Sequence, residues 1–420
     1  MAIPSKVFSL EGKALKLDTA EDLDAHIAAL VSMDNVEEVR FLGNTLGIGA
    51  CKRLGEVLST KKSLQTANFA DIFTGRLLNE IPEAISHLLT QITNLPNLRT
   101  VNLNDNAFGI NTYAPVAAFL SSHVPLQHLY LNNNGLGPEA GMKIADALSE
   151  LHAKKEAARK AGQADVPDLE TVICGRNRLE NGSMRAWAKT FSLHNRVREI
   201  KMVQNGIRQE GIVHLITDGL SHLSSIRVLD LQDNTFTLTG ATALAKVAPS
   251  WTEVVELGLG DSLLGNRGAK ALAKALAKGK NPKLEVLRLQ FNEINSKGVQ
   301  TFADAAKDAL PVLRKLEING NRLSEEDDVI TTLTSLLEER KDKLAGDVIM
   351  EDDWGLDSLS DLEEESEGED EDEEEEEEIE KEALAEKLVK DEEEALEQPV
   401  IQVKDKQVDD LAKKLEKTGI

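Results

Sequence analysis

The chain has 420 residues, 41% hydrophobic and only 4% aromatic, with a formal net charge of −25. The charge is confined: residues 351–400 hold 27 Asp or Glu against 3 Lys, or −24, whereas residues 1–350 sum to −2. A near-neutral body with an acidic block offers no dominant basic face for nucleic acid, two cysteines build no disulfide framework, and no stretch reaches the ~18 apolar residues that cross a membrane.

The opening, MAIPSKVFSLEG, lacks the apolar run of a signal peptide, and Cys51 and Cys174 are expected as reduced packing residues. The chain is therefore expected to be soluble and intracellular. From Val36 onward a phrase of the form L-x-x-L-x-L-x-x-N-x-L recurs, at Leu64, Leu98, Leu126, Leu169, Val197, Ile226, Val254, Leu284 and Leu313. Successive starts lie 28–30 residues apart, except for one step of 34 and one of 43. This is the period of a long leucine-rich repeat. Within each phrase apolar residues alternate, as a short strand requires, then turn residues follow, as in NNGLGP and NGIRQEG. A helical stretch closes the unit: GIVHLITDGLSHL from Gly211 and GAKALAKALAK from Gly268 space apolar residues three and four apart. One unit cannot bury its apolar face alone, but stacked neighbours can. The expected fold is an α/β leucine-rich-repeat horseshoe of ribonuclease-inhibitor type, with parallel strands on the concave face and helices on the convex face, in about ten to eleven repeats.

The consensus Asn recurs as Asn44, Asn106, Asn134, Asn177, Asn205, Asn234, Asn292 and Asn321, with Ile72 and Ser262 in two copies. An amide offers both donor and acceptor where the chain leaves the strand, so these residues are expected to satisfy buried backbone groups from layer to layer.

Departures from the phrase are where function is sought. The copy at Leu64 is degenerate and runs into DIFTGRLLNEIPEAI, with Asp71, Thr74, Gly75 and Arg76. This segment is either an irregular loop in which Arg76 pairs with a nearby carboxylate, or a functional interruption. The copy at Leu126 reads LYLNNNGLGPEAG: Asn134 is the ladder residue, and at least one of Asn132 and Asn133 faces outward, as surface filler or as a site. The long step contains ELHAKKEAARKAGQADVPDL, an extended helix and exposed loop with a solvated basic face. ICGRNRLENGSM then sets Arg176 and Arg178 on either side of ladder Asn177, facing the concave opening or bridging neighbouring acids. Gly260-Asp-Ser-Leu-Leu-Gly265-Asn266-Arg267 imitates a phosphate-binding loop but has Asn for the required Lys and Arg for the required Ser or Thr. No H-E-x-x-H, Cys/His cluster or G-x-S-x-G elbow occurs. NRLSEEDDVITTLTSLLEERKDKL is expected to cap the stack, giving a repeat domain over 1–347 and an acidic, largely disordered tail over 348–420. IEKEALAEKLVKDEEEAL from Ile379 has weak helical periodicity suited to folding on a partner.

FADIFTGR, LNDNAFG, LYLNNNGLGPEAG, CGRNRLENGSMRAWAKTF, MVQNGIRQEG, LDLQDNTF and NGNRLSEEDD together resemble the Ran GTPase-activating protein family over about residues 5–345, in its short fungal form. The resemblance implies a cytoplasmic monomer that acts in nucleocytoplasmic transport on Ran in its GTP form, and leaves room for a Ran-binding protein beside it. It implies no cofactor of the chain's own, because GTP and magnesium are held by the GTPase. It implies activation by ordering Ran's own catalytic glutamine rather than by inserting an arginine finger, the device that in GTPase activators generally is worth up to ~10⁵-fold, or about 7 kcal/mol of barrier. By motif the catalytic-region Asn falls on Asn133, with Asn132 where the family often has His, and the Arg of FTGR falls on Arg76 in a supporting and Ran-contacting role. Arg176, Arg178, Asp71 and Asn132 are then candidate partner-binding residues. The competing expectation is a non-catalytic acidic repeat protein that binds or chaperones basic partners.

Overall fold

The computed structural model describes residues 6–344 and 354–363, all within one unit, Met1–Glu364. The helical stretch expected from Ile379, and the tail beyond Glu363, lie outside the described residues.

The strands are β1 (Val7–Ser9), β2 (Lys16–Leu17), β3 (Glu38–Arg40), β4 (Thr45–Leu46), β5 (Thr66–Asn68), β6 (Thr100–Asn102), β7 (His128–Tyr130), β8 (Thr171–Ile173), β9 (Glu199–Lys201), β10 (Val228–Asp230), β11 (Glu256–Gly258), β12 (Val286–Arg288), β13 (Lys315–Glu317) and β14 (Gly355–Leu356). Twelve of them form one parallel sheet in chain order, while β2 pairs with β4 in a separate two-stranded ladder. The ten phrases supply β3 and β5–β13, and a strand is added at each end. The middle residues stand in register along the sheet: Leu129 with Val172, Val172 with Ile200, Ile200 with Leu229, and Leu229 with Leu257. These are the inward positions of the alternation, and all are buried.

Eleven α-helices alternate with the strands among the described residues: α1 (Ala20–Ser32), α2 (Ile48–Ser59), α3 (Ile81–Ile92), α4 (Tyr113–Leu120), α5 (Gly137–Lys160), α6 (Glu180–Leu193), α7 (Gln209–His214), α8 (Thr237–Val247), α9 (Gly265–Leu276), α10 (Ser296–Ala309) and α11 (Asp328–Leu344). In α9 the buried residues Ala269, Leu272, Ala273 and Leu276 recur at three and four, so one stripe faces the strands. The 43-residue step is the 24-residue α5 and its loop, in keeping with the Ala- and Lys-rich segment there. The stretch from Gly211 is less regular. After α7 the chain widens into a π-turn over Leu215–Gly219 and tightens into a 3-10 turn over Leu220–His222. Gly219, where the two turns meet, lies close against α6: a Cβ there would stand 2.7 Å from the Ala188 Cα.

The Asn ladder has the bonds expected of it. The Asn134 side-chain oxygen Oδ1 accepts the Asn106 N–H at 2.9 Å, and its Nδ2 donates to the carbonyls of Leu103 (3.0 Å) and Leu131 (2.9 Å). Asn177 and Asn205 repeat the pattern one and two layers on. The thiols of Cys51 and Cys174 are free and buried, and burial pushes both up to about 12. They are packing atoms, not nucleophiles.

The C-terminal boundary expected at 347 is too early. Strand β14 pairs with β13, and the Gly355 N–H donates to the Arg314 carbonyl at 2.9 Å. In earlier repeats the N–H just past a strand donates to the next strand, as Leu289 does to Glu317. At the last repeat the Asp357 carboxylate takes that part, accepting the N–H of Ile318 at 2.8 Å and that of Asn319 at 3.1 Å. Asn319 and Asp361 exchange two further bonds, at 2.8 and 2.9 Å, while Leu356, Leu359 and Leu362 pack against the core. The start of the acidic block thus closes the sheet edge.

Candidate functional site

Each phrase leaves its strand through the same backbone feature. The residue just before the ladder position has a positive φ in all ten repeats, from 47° at Asp71 to 75° at Gly43. This left-handed kink turns the ladder side chain inward and the preceding one outward. Seven of the ten residues there are Gly, Asp or Asn, the types that tolerate it, so an Asn at 133 satisfies a backbone demand before any other. Residue type alone therefore does not mark the site; exposure and bonding do.

The three consecutive asparagines have three different fates. Asn134 is buried in the ladder. Asn132 is half-buried: its N–H donates to the Asn104 side-chain oxygen at 2.7 Å, and its own amide oxygen accepts the Gly175 N–H at 2.5 Å. Gly175 suits that approach, since a Cβ there would stand 3.1 Å from the Asn132 oxygen and 2.9 Å from the Val203 carbonyl. The side-chain oxygen of Asn132, a candidate partner-binding residue, thus holds the loop of the next repeat. Asn133 is the exposed one, with φ 54°. Its N–H donates to the Gly175 carbonyl at 2.9 Å, and its side-chain Nδ2 donates to Asp105 Oδ1 at 2.8 Å.

Asp71, Asp105, Asn133 and Arg176 occupy this outward position in four successive repeats. Backbone bonds of 2.8–2.9 Å hold each to the next layer: Asp71 to Asn104, Asp105 to Asn132, Asn133 to Gly175, and Arg176 to Val203. The Asp71 carboxylate accepts the Thr74 hydroxyl. Arg176 and Arg178 are both exposed, with φ 55° and 53°, and among the described residues neither guanidinium is paired with a carboxylate. Asp105 is the residue of this row that sequence reasoning passed over. Its signal was its place in NDN, one before ladder Asn106, as Asn133 is one before Asn134.

Arg76 faces elsewhere. Its guanidinium donates to the Thr45 hydroxyl and carbonyl, each at 2.9 Å, to the Leu17 carbonyl at 3.3 Å and to the Asp18 carboxylate, leaving its side chain 9% exposed. All these partners lie on the N-terminal side, across β2 and β4, whereas Asn133 bonds to Asp105 and Gly175. Arg76 holds Asp18 below the usual carboxylate range through that hydrogen bond. The alternative in which Arg76 pairs with a nearby carboxylate describes its geometry. Beside it, Leu77 and Leu78 are 65% and 62% exposed, and Ile110 in the next loop is 43% exposed.

Away from this row, a cavity of about 420 Å³ lies among His152, Lys155, Arg159, Asp168, His194 and Arg196. Its polar groups already have structural work. The Lys155 ammonium donates to the carbonyls of Val124, Leu126 and Pro167 at 2.6–2.7 Å, and Arg159 binds Asp168 at 2.6 Å, pinning the loop after α5. Among the described residues no three of His, Cys, Asp or Glu are grouped to share a metal ion, and no helix is long and apolar enough to cross a membrane.

A family model described as Leucine Rich repeat matches residues 123–145, 222–245 and 280–303. The chain is 40% identical over 338 residues to Ran GTPase-activating protein 1 of Saccharomyces cerevisiae, a match covering 79% of this chain and 82% of that one. It is 35% identical over 322 residues to the Ran GTPase-activating protein of Drosophila melanogaster, covering 76% and 52%. A ribonuclease inhibitor of Sus scrofa is 26% identical over 162 residues, covering 39% and 32%.

Proposed function

The chain belongs to the Ran GTPase-activating protein family, and from that premise we propose that Asn133 is the residue through which it accelerates hydrolysis, by ordering Ran's own catalytic glutamine. The chain is a GTPase activator for Ran. Its part in the chemistry is positioning: a neutral amide is neither a general base nor a nucleophile, but it can hold a second amide so that the latter aligns the attacking water. GTP and magnesium stay with Ran, in its GTP form, and this chain brings no cofactor, no hydrolytic site and no arginine finger. The reading places a cytoplasmic monomer in nucleocytoplasmic transport, with a Ran-binding protein as a further member of the complex.

One observation carries the reading: of the three consecutive asparagines, Asn133 alone is exposed while its side chain is held by a neighbouring repeat. Arg176 and Arg178 offer exposed cations beside it, and Asp71 an anion on the same row. Leu77, Leu78 and Ile110 add the apolar part of the surface. Arg76 supports this surface from behind by fixing its loop.

The test is single-turnover GTP hydrolysis on Ran, with an unrelated small GTPase as control. Asn133→Ala is expected to slow the reaction at least ~100-fold, the scale seen when a single aligned polar contact is removed from a transition state. Because φ is 54° there, Asn133→Gly is the cleaner variant: it deletes the amide without straining the backbone. A wild-type rate in both variants would show that Asn133 is not the site. Turnover at substoichiometric amounts separates an activator from an acidic binding protein that merely captures a basic partner.

A further inference from the structure

Asn133 acts through one planar amide, and what it offers a partner depends on which end points outward. The bond to Asp105 decides this. An ionised carboxylate only accepts hydrogen bonds, so the atom 2.8 Å from Asp105 Oδ1 is the NH₂ nitrogen of Asn133. An amide is planar, so fixing its nitrogen fixes its oxygen on the opposite side. Among the described residues nothing donates to that oxygen. The neighbour on the other side of the row is cationic Arg176. The order Asp105, Asn133, Arg176 therefore matches the amide dipole, with the carboxylate at the NH₂ end and the guanidinium-bearing repeat at the C=O end. Without Asp105 the terminal torsion of an Asn has two broad wells about 180° apart, and they present opposite chemistry.

We infer that Asp105 is a positioning residue for the activating reaction: its carboxylate holds Asn133 Nδ2 and leaves Oδ1 as the unbonded end of the amide, so the site takes an N–H donor. This rests on the reading of Asn133 as the acting residue. A glutamine side chain that gives its NH₂ to Asn133 Oδ1 has its own carbonyl left to accept a hydrogen bond from the attacking water. An outward Asn133 NH₂ would instead bind the glutamine carbonyl and turn its NH₂ to the water, the wrong polarity for that alignment. Asp105 itself is well placed for the task, since its N–H is bound to the Asn132 carbonyl at 2.9 Å and its φ is 61°.

The experiment uses the full chain and Ran loaded with GTP, in single-turnover hydrolysis across a range of activator concentrations. Asp105→Gly removes the carboxylate and suits the left-handed backbone, as Gly43 and Gly320 do at the same repeat position. It is expected to lower the maximal rate roughly 10-fold, because a misdirected contact forfeits alignment, while the half-saturating concentration stays as in the wild type. Asp105→Asn regains part of the rate, since its oxygen still accepts from Asn133. Asp105→Lys falls to the level of Asn133→Gly, because an ammonium there takes the Asn133 oxygen and turns the NH₂ outward. In an Asn133→Gly background, adding Asp105→Gly changes nothing further. A full maximal rate for Asp105→Gly, with Asn133→Gly slow, overturns the inference alone. So does an equal loss in both backgrounds, or a loss confined to half-saturation, since either means that Asp105 touches the partner on its own account. A wild-type rate for Asn133→Gly removes the underlying reading and this inference with it.

Discussion

Backbone and side chain make separate demands at each functional candidate, and the two are read in different ways. At Asn133 the backbone needs a left-handed conformation, which Asn tolerates, while the side chain reaches one repeat back to Asp105. At Arg76 every bond of the guanidinium runs to residues 17–45, so its loss is first a loss of structure. Arg76→Ala leaves the Thr45 and Leu17 carbonyls short of a donor and is expected to cost on the order of 1–3 kcal/mol, discounted for the half-exposed Asp18. The measurement is the thermal midpoint beside the hydrolysis rate per folded molecule: the midpoint should fall, and the rate should fall with it but by less than in Asn133→Ala, because the loop that Arg76 fixes loosens. Arg76→Lys should not restore the midpoint, because one ammonium cannot cover a fork that reaches Thr45, Leu17 and Asp18 together. Lost rate at an unchanged midpoint would return Arg76 to the contact surface. The sequence marked both residues as departures from the repeat. It did not say which way Arg76 turns, because its partners lie 31 to 59 residues away and belong to a minor ladder with no phrase of its own. Asp105 stayed hidden because an Asp before a ladder Asn also satisfies the turn, and its bond to Asn133 crosses a 28-residue gap.

Elements at the ends of the stack carry the burden that interior repeats share with two neighbours. Strand β13 would present an open edge if β14 did not cover it, and Asp357 satisfies two N–H groups that have no further strand to meet. A chain ending at 347 loses this cover together with the packing of Leu356, Leu359 and Leu362. It should be less stable than a chain ending at 364 by on the order of 2–4 kcal/mol, given ~1 kcal/mol or more for each part-buried leucine. Comparing the thermal midpoints of the two chains checks this; equal midpoints would mean that β14 adds nothing. Hydrolysis of Ran-bound GTP below both midpoints should be the same for the two, since the row from Asp71 to Arg176 lies far along the sheet from β13. The sequence did not reveal β14 because GLDSLSDL sits among acids, and composition there spoke for disorder.

Across the whole molecule, charge and fold are separable. Residues 1–350 are close to neutral, so the block over 351–400 is the main source of a long-range field. We expect it to tune encounter with basic surfaces rather than the chemical step. Association of Ran with the full chain should therefore vary more steeply with ionic strength than association with the chain ending at 364, and the difference should shrink once the Debye length falls to about 3 Å near 1 M salt. Stopped-flow association at several salt concentrations decides it, and identical slopes for the two chains would rule the idea out. The maximal hydrolysis rate should not follow this salt dependence.

Repetition made the architecture legible: strand phase, helix phase and ladder Asn follow from local periodicity, since each unit meets copies of itself and one rule satisfies every layer. The family resemblance, carried by FTGR, NNNGLGP and GRNR, pointed to Ran and to Asn133. Tertiary structure decided what depends on contacts between unlike residues in different layers. It turned Arg76 towards Asp18, spent the Asn132 oxygen on Gly175, bound the Asn133 amide to Asp105, and drew Asp357 onto the last strand. Periodicity determines which face a side chain occupies. Only the neighbouring layer determines which atom of that side chain is already bonded and which is left for a partner.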